Sequence, residues 1–101
     1  MININKILKE AIEKDASDIH LVAGKKPILR IARNLVEMEN EDVLKIDDMY
    51  EMYDYFVRGN VSKDEEYRKT KKLDFSYEFE EIRFRGNISS TDDIPIATLR
   101  I

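Results

Sequence analysis

The residues best equipped for chemistry in this chain are Arg85, Arg100 and the short run Ser17-Asp18-Ile19-His20. A Ser-His-Asp grouping can be assembled from Ser17, His20 and Asp18. On an alternating strand, however, Ser17 and Asp18 point to opposite faces, so the run reads as strand residues with local hydrogen bonds. His20 is the only histidine and the chain has no cysteine, which leaves nothing from which to build a disulfide, a thiolate zinc site or a histidine-rich metal site. The three glycines, Gly24, Gly59 and Gly86, cannot be written as a GxGxxG turn or a GxxxxGK[ST] phosphate loop. Tyr50, Tyr53, Tyr55 and Tyr67 fall at helical positions and read as packing groups rather than stacking platforms. The residues give no catalytic machinery to this chain alone.

The two arginines are harder to set aside. If Asp92-Asp93 is the two-residue tip of a hairpin, Thr91 faces Ile94, Ser89 faces Ile96, Asn87 faces Thr98 and Arg85 faces Arg100. One face then carries Phe84, Gly86, Ile88, Ala97, Leu99 and Ile101, a core face. The other carries Arg85, Asn87, Ser89, Thr98 and Arg100. Like charges directly opposite one another on a sheet repel. They call for a carboxylate, for which Glu78 or Glu80 on the preceding strand is the nearest candidate, or for a bound anion such as phosphate, which guanidinium groups fit well.

The elements that must hold these residues follow from periodicity. Ile4, Ile7, Leu8, Ala11 and Ile12 form the apolar stripe of a first helix that ends at Asp15-Ala16-Ser17. Ser17–Val22 and Ile28–Arg33 alternate around Gly24-Lys25-Lys26-Pro27 as a β-hairpin, and Leu35–Met38 is a possible short strand. A second helix spans Ile46–Arg58, with Ile46, Met49, Tyr50, Tyr53, Phe56 and Val57 on one face and Gly59-Asn60 as its stop. Ser62 and Glu65 have the spacing of a capping box for a short helix over Lys63–Lys71. Strands at Leu73–Glu80, Ile82–Ser89 and Ile94–Ile101 complete a meander. The order predicts an α+β domain: an antiparallel sheet with helices packed on one face.

Composition sets outer limits. The 101 residues fit one domain, 1–101, with a single core. Charged residues at 38% against 43% hydrophobic give a folded chain with a very polar surface. No apolar run is long enough to span a bilayer, and the opening MININKILKEAIEK has no signal-peptide core. A net charge of −4 argues against bulk nucleic-acid binding. Charge is also uneven. Between Glu37 and Asp54 eight acids stand against Lys45 alone, whereas between Ile82 and Ile101 the bases are Arg83, Arg85 and Arg100.

Five collinear pieces resemble the N-terminal domain of PilT-type retraction and secretion ATPases. They are Ala16-Ser17-Asp18-Ile19-His20-Leu21, Pro27-Ile28-Leu29-Arg30-Ile31, Leu73-Asp74-Phe75-Ser76-Tyr77, Arg83-Phe84-Arg85-Gly86-Asn87 and Leu99-Arg100. The resemblance spans nearly the whole chain but misses Glu37–Met52. It departs from the family where Ala32-Arg33-Asn34 replaces a turn that commonly holds glycine, and where Ile88–Asp93 replaces a long basic hairpin.

The resemblance implies a PAS-like domain that precedes a RecA-like motor, lying beyond Ile101, in a hexameric cytoplasmic ATPase of type IV pilus retraction and twitching motility. Arg85 and Arg100 would reach the phosphates of a nucleotide bound on that motor. ATP and Mg are expected for the full-length protein and no cofactor for this chain by itself. The implied partners are the motor domain, neighbouring subunits of a homo-hexamer and pilus platform proteins, with the membrane reached only through partners. Two other readings stay open: a PAS-like sensory module with a small-ligand cavity between sheet and helices, and an interaction domain that docks through the acidic helix Ile46–Arg58.

Overall fold

The structure, a computed structural model, describes residues 2–101. Nine elements follow in order: α1 (Ile4–Glu13), β1 (Asp18–Leu21), β2 (Ile28–Ile31), β3 (Asn34–Glu37), α2 (Ile46–Val57), α3 (Val61–Thr70), β4 (Lys72–Phe79), β5 (Ile82–Thr91) and β6 (Ile94–Arg100). The strands form one antiparallel sheet in the order β3-β2-β1-β6-β5-β4. This is the α+β architecture expected from the sequence. The pairing of β1 with β6, which joins two three-stranded halves, is the feature that local patterning does not disclose.

Alternation decides which face is covered. Ile19 and Leu21 of β1, Leu29 of β2, Leu73 of β4, Phe84 and Ile88 of β5, and Ala97 and Leu99 of β6 all turn inward and are buried. They meet Ile4, Ile7, Leu8 and Ala11 of α1 and Met49, Met52 and Val57 of α2. Each of the Leu, Ile, Val, Met and Phe side chains among them, fully withdrawn from water, contributes about 1.5–3 kcal/mol before chain entropy is charged against it. On the inward face Phe75 lies over Gly86, its cross-strand neighbour, and a Cβ at residue 86 would stand 2.2 Å from the ring. Only glycine leaves room for that ring, which packs on to Phe56 at 4.8 Å between centroids.

The helices differ in detail from their sequence reading. Asn3 caps α1 by accepting from the Lys6 amide, and the Asp48 carboxylate receives the Lys45 amide at 2.7 Å at the start of α2. On α2 the buried face is Asp48, Met49, Met52 and Val57, whereas Ile46 and Tyr50 are half exposed. The α3 cap is Asn60, which accepts from the Lys63 amide, rather than Ser62, so the helix starts two residues earlier than the capping-box spacing indicates. This helix buries none of its residues completely.

Polar and aromatic contacts hold α3 in place. Tyr67 packs on Tyr53 of α2 with centroids 4.8 Å apart. The Tyr53 hydroxyl donates to Asp64 at 2.6 Å, and Arg68 donates to the other oxygen of that carboxylate. Burial, reinforced by Asp64, pushes the Tyr53 hydroxyl far above the usual phenol range, while Arg68 and then Tyr53 hold Asp64 below the usual carboxylate range. Next door, Tyr55 and Tyr77 share a hydroxyl–hydroxyl contact of 2.7 Å, and desolvation moves Tyr55 up to about 12. Tyr53, Tyr55 and Tyr67 therefore pack helices, as their spacing indicates. Tyr50 instead points outward and donates to the Asp93 carbonyl.

The three tight hairpins share an unusual chemistry. Ala32-Arg33, Glu80-Glu81 and Asp92-Asp93 each place two consecutive residues at positive φ, and none of these is glycine or asparagine. Two left-handed central residues mark the turn whose twist matches paired strands. For Ala and Arg that conformation costs about 1–2 kcal/mol per residue. Replacing Ala32-Arg33 by Asn-Gly is therefore expected to raise unfolding stability by about 1–2 kcal/mol, read as a higher urea midpoint at unchanged slope. A midpoint that stays put or falls would show that this turn holds no strain.

Candidate functional site

One transverse row on the outward face of the sheet gathers most of its arginines. Register brings Arg30 of β2 opposite Asp18 of β1, Asp18 opposite Arg100 of β6, Arg100 opposite Arg85 of β5, and Arg85 opposite Ser76 of β4. Neighbouring strands lie about 4.8 Å apart, so three guanidinium groups and one carboxylate share one short line. The Arg85–Arg100 pairing is the one that the Asp92-Asp93 turn predicts, as are Asn87 with Thr98, Ser89 with Ile96 and Thr91 with Ile94.

The neutralising carboxylate is not one of the two expected. Glu78 stands opposite Arg83, and Glu80 lies in the β4–β5 turn. Asp18 takes the role on the same face, from β1 on the opposite flank of β6. Its Oδ1 is 3.5 Å from Arg100 Nε and its Oδ2 is 3.5 Å from Arg30 Nε. Ser17 Oγ donates to the same Oδ2 at 2.9 Å. Asp18 and Arg30 are thus site neighbours that hairpin reasoning misses, because their approach to Arg100 depends on β1 pairing with β6. The outward position of Asp18 on an alternating strand was the one available signal.

Arg100 and Arg85 are in unequal situations. Arg100 keeps 79% of its side chain exposed but has Asp18 beside it. For Arg85, also exposed, no carboxylate lies within ion-pairing distance among the described residues. It borders a cleft of about 530 Å³ lined by Lys63, Asp74, Phe75, Ser76, Arg85 and Gly86. Asp74, the acid of that cleft, accepts from Asn87 Nδ2 at 3.0 Å. The row holds a surplus of positive charge concentrated at Arg85, with donors aimed outward, an arrangement suited to an anion rich in oxygen.

The serine–histidine alternative receives no support from geometry. Ser17 donates to Asp18 and more weakly to the Arg30 carbonyl. His20 Nε2 is buried without a hydrogen-bond partner, one row away opposite Ile28 and Thr98. Among the described residues no three His, Asp or Glu side chains gather in a way that could hold a metal ion.

An arginine facing an arginine is a stability defect as well as a candidate ligand. Arg85→Glu would set a carboxylate directly opposite Arg100, and it is expected to stabilise the chain by about 0.2–1 kcal/mol. Chemical unfolding of the two proteins at low salt measures this. Equal or lower stability for the variant would mean that the present pair costs nothing.

No family model matches the chain, and no curated relative does. Solved structures do. The crystal structure of the pilus retraction motor PilT with bound ADP matches over 100% of this chain, with a TM-score of 0.87 and 29% identity. The ATPase DotB of Legionella pneumophila covers 96% at TM-score 0.80 and 21% identity, and that of Yersinia pseudotuberculosis covers 96% at 0.76 and 18%. The two DotB likenesses speak for the fold alone. The chain spans 29%, 27% and 29% of the lengths of these three proteins. Its fold is that of the N-terminal domain of a PilT-type secretion ATPase, in agreement with the five motifs of the sequence.

Proposed function

We propose that the chain is a regulatory and assembly domain of a type IV pilus retraction ATPase, and that Arg85 and Arg100 are its contribution to the nucleotide site. The observation that carries this reading is the pair itself. Two arginines face each other on an exposed sheet surface, and Arg85 has no acidic partner among the described residues. A fold that tolerates such repulsion is consistent with a ligand that relieves it, and the phosphates of ATP supply the complementary charge and geometry.

On this reading the nucleotide and its Mg are held by a RecA-like motor domain, and this domain closes over the phosphates from outside. Arg85 and Arg100 would stabilise the charge that builds up on the transferred phosphoryl group. Their rigid mounting on adjacent strands would carry the difference between ATP and ADP into the position of the domain relative to neighbouring subunits of a homo-hexamer. Work on the pilus, through platform proteins at the cytoplasmic side of the membrane, follows from that displacement. The chain itself has no helix long and apolar enough to cross a membrane among the described residues.

The sensory alternative needs an apolar cavity between sheet and helices, and that space is occupied by Phe84, Ile7, Leu8, Ile19, Met49, Met52 and Leu99, each under 2% exposed. The docking alternative keeps one favourable observation: Ile46 and Tyr50 remain half exposed on the acidic helix α2.

In the full-length ATPase, Arg85→Gln and Arg100→Gln are each expected to lower kcat by about 10²–10³-fold, the usual cost of losing one charge-stabilising donor. Subunit assembly, followed by light scattering, stays intact. A kcat within twofold of the parent would remove these residues from the nucleotide site. The 101-residue chain alone should bind ATP weakly or not at all, since it supplies half of a site. Tight and saturable binding to the isolated chain would contradict that division.

A further inference from the structure

The row on the outward face contains more than two arginines and an acid. Asp18 is 14% exposed at its side chain, and each of its oxygens has a cation of its own. Arg100 and Arg30 approach it through Nε, from opposite sides and at the same 3.5 Å. Approach through Nε leaves the two terminal amino groups of Arg100 free. The Arg30 side chain is half as exposed as that of Arg100, at 41% against 79%, and it is further tied by a 3.5 Å contact from Nη1 to the Arg33 carbonyl. Ser17 Oγ adds a hydrogen bond on the Arg30 side of the carboxylate. Arg30 and Ser17 are therefore the fixed partners of Asp18, and Arg100 is the loose one.

We propose that Asp18 and Arg30 act as a hand-over pair for Arg100. Asp18 parks the Arg100 guanidinium while no anion is bound, and Arg30 keeps the carboxylate compensated when Arg100 leaves for a phosphate. The proposal rests on the reading that Arg85 and Arg100 take phosphate. It adds two positioning residues and assigns them a specific energetic task.

The physical argument concerns what is left behind. Moving Arg100 from Asp18 to an anion gives up one 3.5 Å ion pair whose arginine is well exposed, a contact worth little so long as the carboxylate keeps a second cation. A largely buried carboxylate stripped of its only cation would be costly, and the cost would fall on anion binding. Arg30 prevents this by remaining on Oδ2. Its effect on affinity should therefore depend on Asp18 being charged. A simple contribution to the positive field would show no such dependence.

The test is a double-mutant cycle on the 101-residue chain, with inorganic tripolyphosphate as the probe at low ionic strength and NMR of the arginine Nε–Hε groups as the readout. Arg30→Gln should weaken binding about three- to fivefold in the parent sequence, and less than about twofold in the Asp18→Asn background. Arg30→Lys, which keeps the cation, should recover most of the loss. During titration the Arg30 Nε–Hε signal should move together with that of Arg100 in the parent, and stay still in Asp18→Asn.

Equal effects of Arg30→Gln in both backgrounds, or an Arg30 signal unmoved in the parent, would overturn the hand-over. The Arg30 variants alter a partly exposed side chain, so the cycle does not hang on whether Asp18→Asn folds: the parent titration already decides through the Arg30 signal. Failure of the underlying phosphate reading looks different. In that case Arg85→Gln and Arg100→Gln bind the probe as the parent does. A parent chain in which tripolyphosphate moves the Arg100 signal at no concentration overturns the hand-over, while the nucleotide reading is then decided by kcat of the full-length Arg85→Gln and Arg100→Gln variants.

Discussion

The structure hangs on the pairing of β1 with β6. Two local meanders, β3-β2-β1 and β6-β5-β4, each close through short turns. Neither buries its inward face alone. The seam that joins them sets Asp18 beside Arg100 and Leu21 beside Ala97, residues about eighty positions apart. Closing so long a loop costs entropy that local contacts do not return, and the return comes from the shared core of Ile19, Leu21, Ala97 and Leu99 against α1 and α2. Without the seam there is no continuous floor for the helices, and no row of charges on the other side.

The same seam explains what was legible in the sequence and what was not. Strand period, helix stripes and the Asp92-Asp93 turn determine the Arg85–Arg100 pairing, because every step of that inference lies within sixteen residues. The order of helix, hairpin, helices and meander likewise leads to an antiparallel sheet covered on one face. The carboxylate that meets Arg100 could not be found by the same route. Glu78 and Glu80 are closer in the chain, but Asp18 is the one brought across by β1. A short-range argument finds partners on adjacent hairpin strands and misses those delivered by non-local pairing. The α3 cap failed for a different reason: Asn60 and Ser62 are both good caps, and the tertiary contact of Tyr53 with Asp64 goes with the earlier start.

Charge placement also acquires meaning once the faces are assigned. The acids of α2 lie away from the sheet's outer surface, whereas the arginines collect on it. A chain with net charge −4 thus presents a locally positive strip, and whole-chain charge is a poor guide to what that strip can meet. Surface pairs of this kind add little to stability. Their value lies in where they leave uncompensated charge, which here is at Arg85.

The non-glycine turns bear on how the sheet comes into being. A hairpin whose central residues favour left-handed backbone can form early, on a microsecond timescale, and template its neighbours. Ala32-Arg33 and Glu80-Glu81 have no such inclination. The expected consequence is that these hairpins gain little until packing on α1 and α2 rewards them, so that nucleation shifts from the turns to the helices and the long-range seam. The order of events then becomes that of a cooperative folder in which the one non-local pairing, β1 with β6, must close before the helices are rewarded. In such a chain a half-formed sheet, with β1 and β6 as unpaired inner edges, has little time to exist.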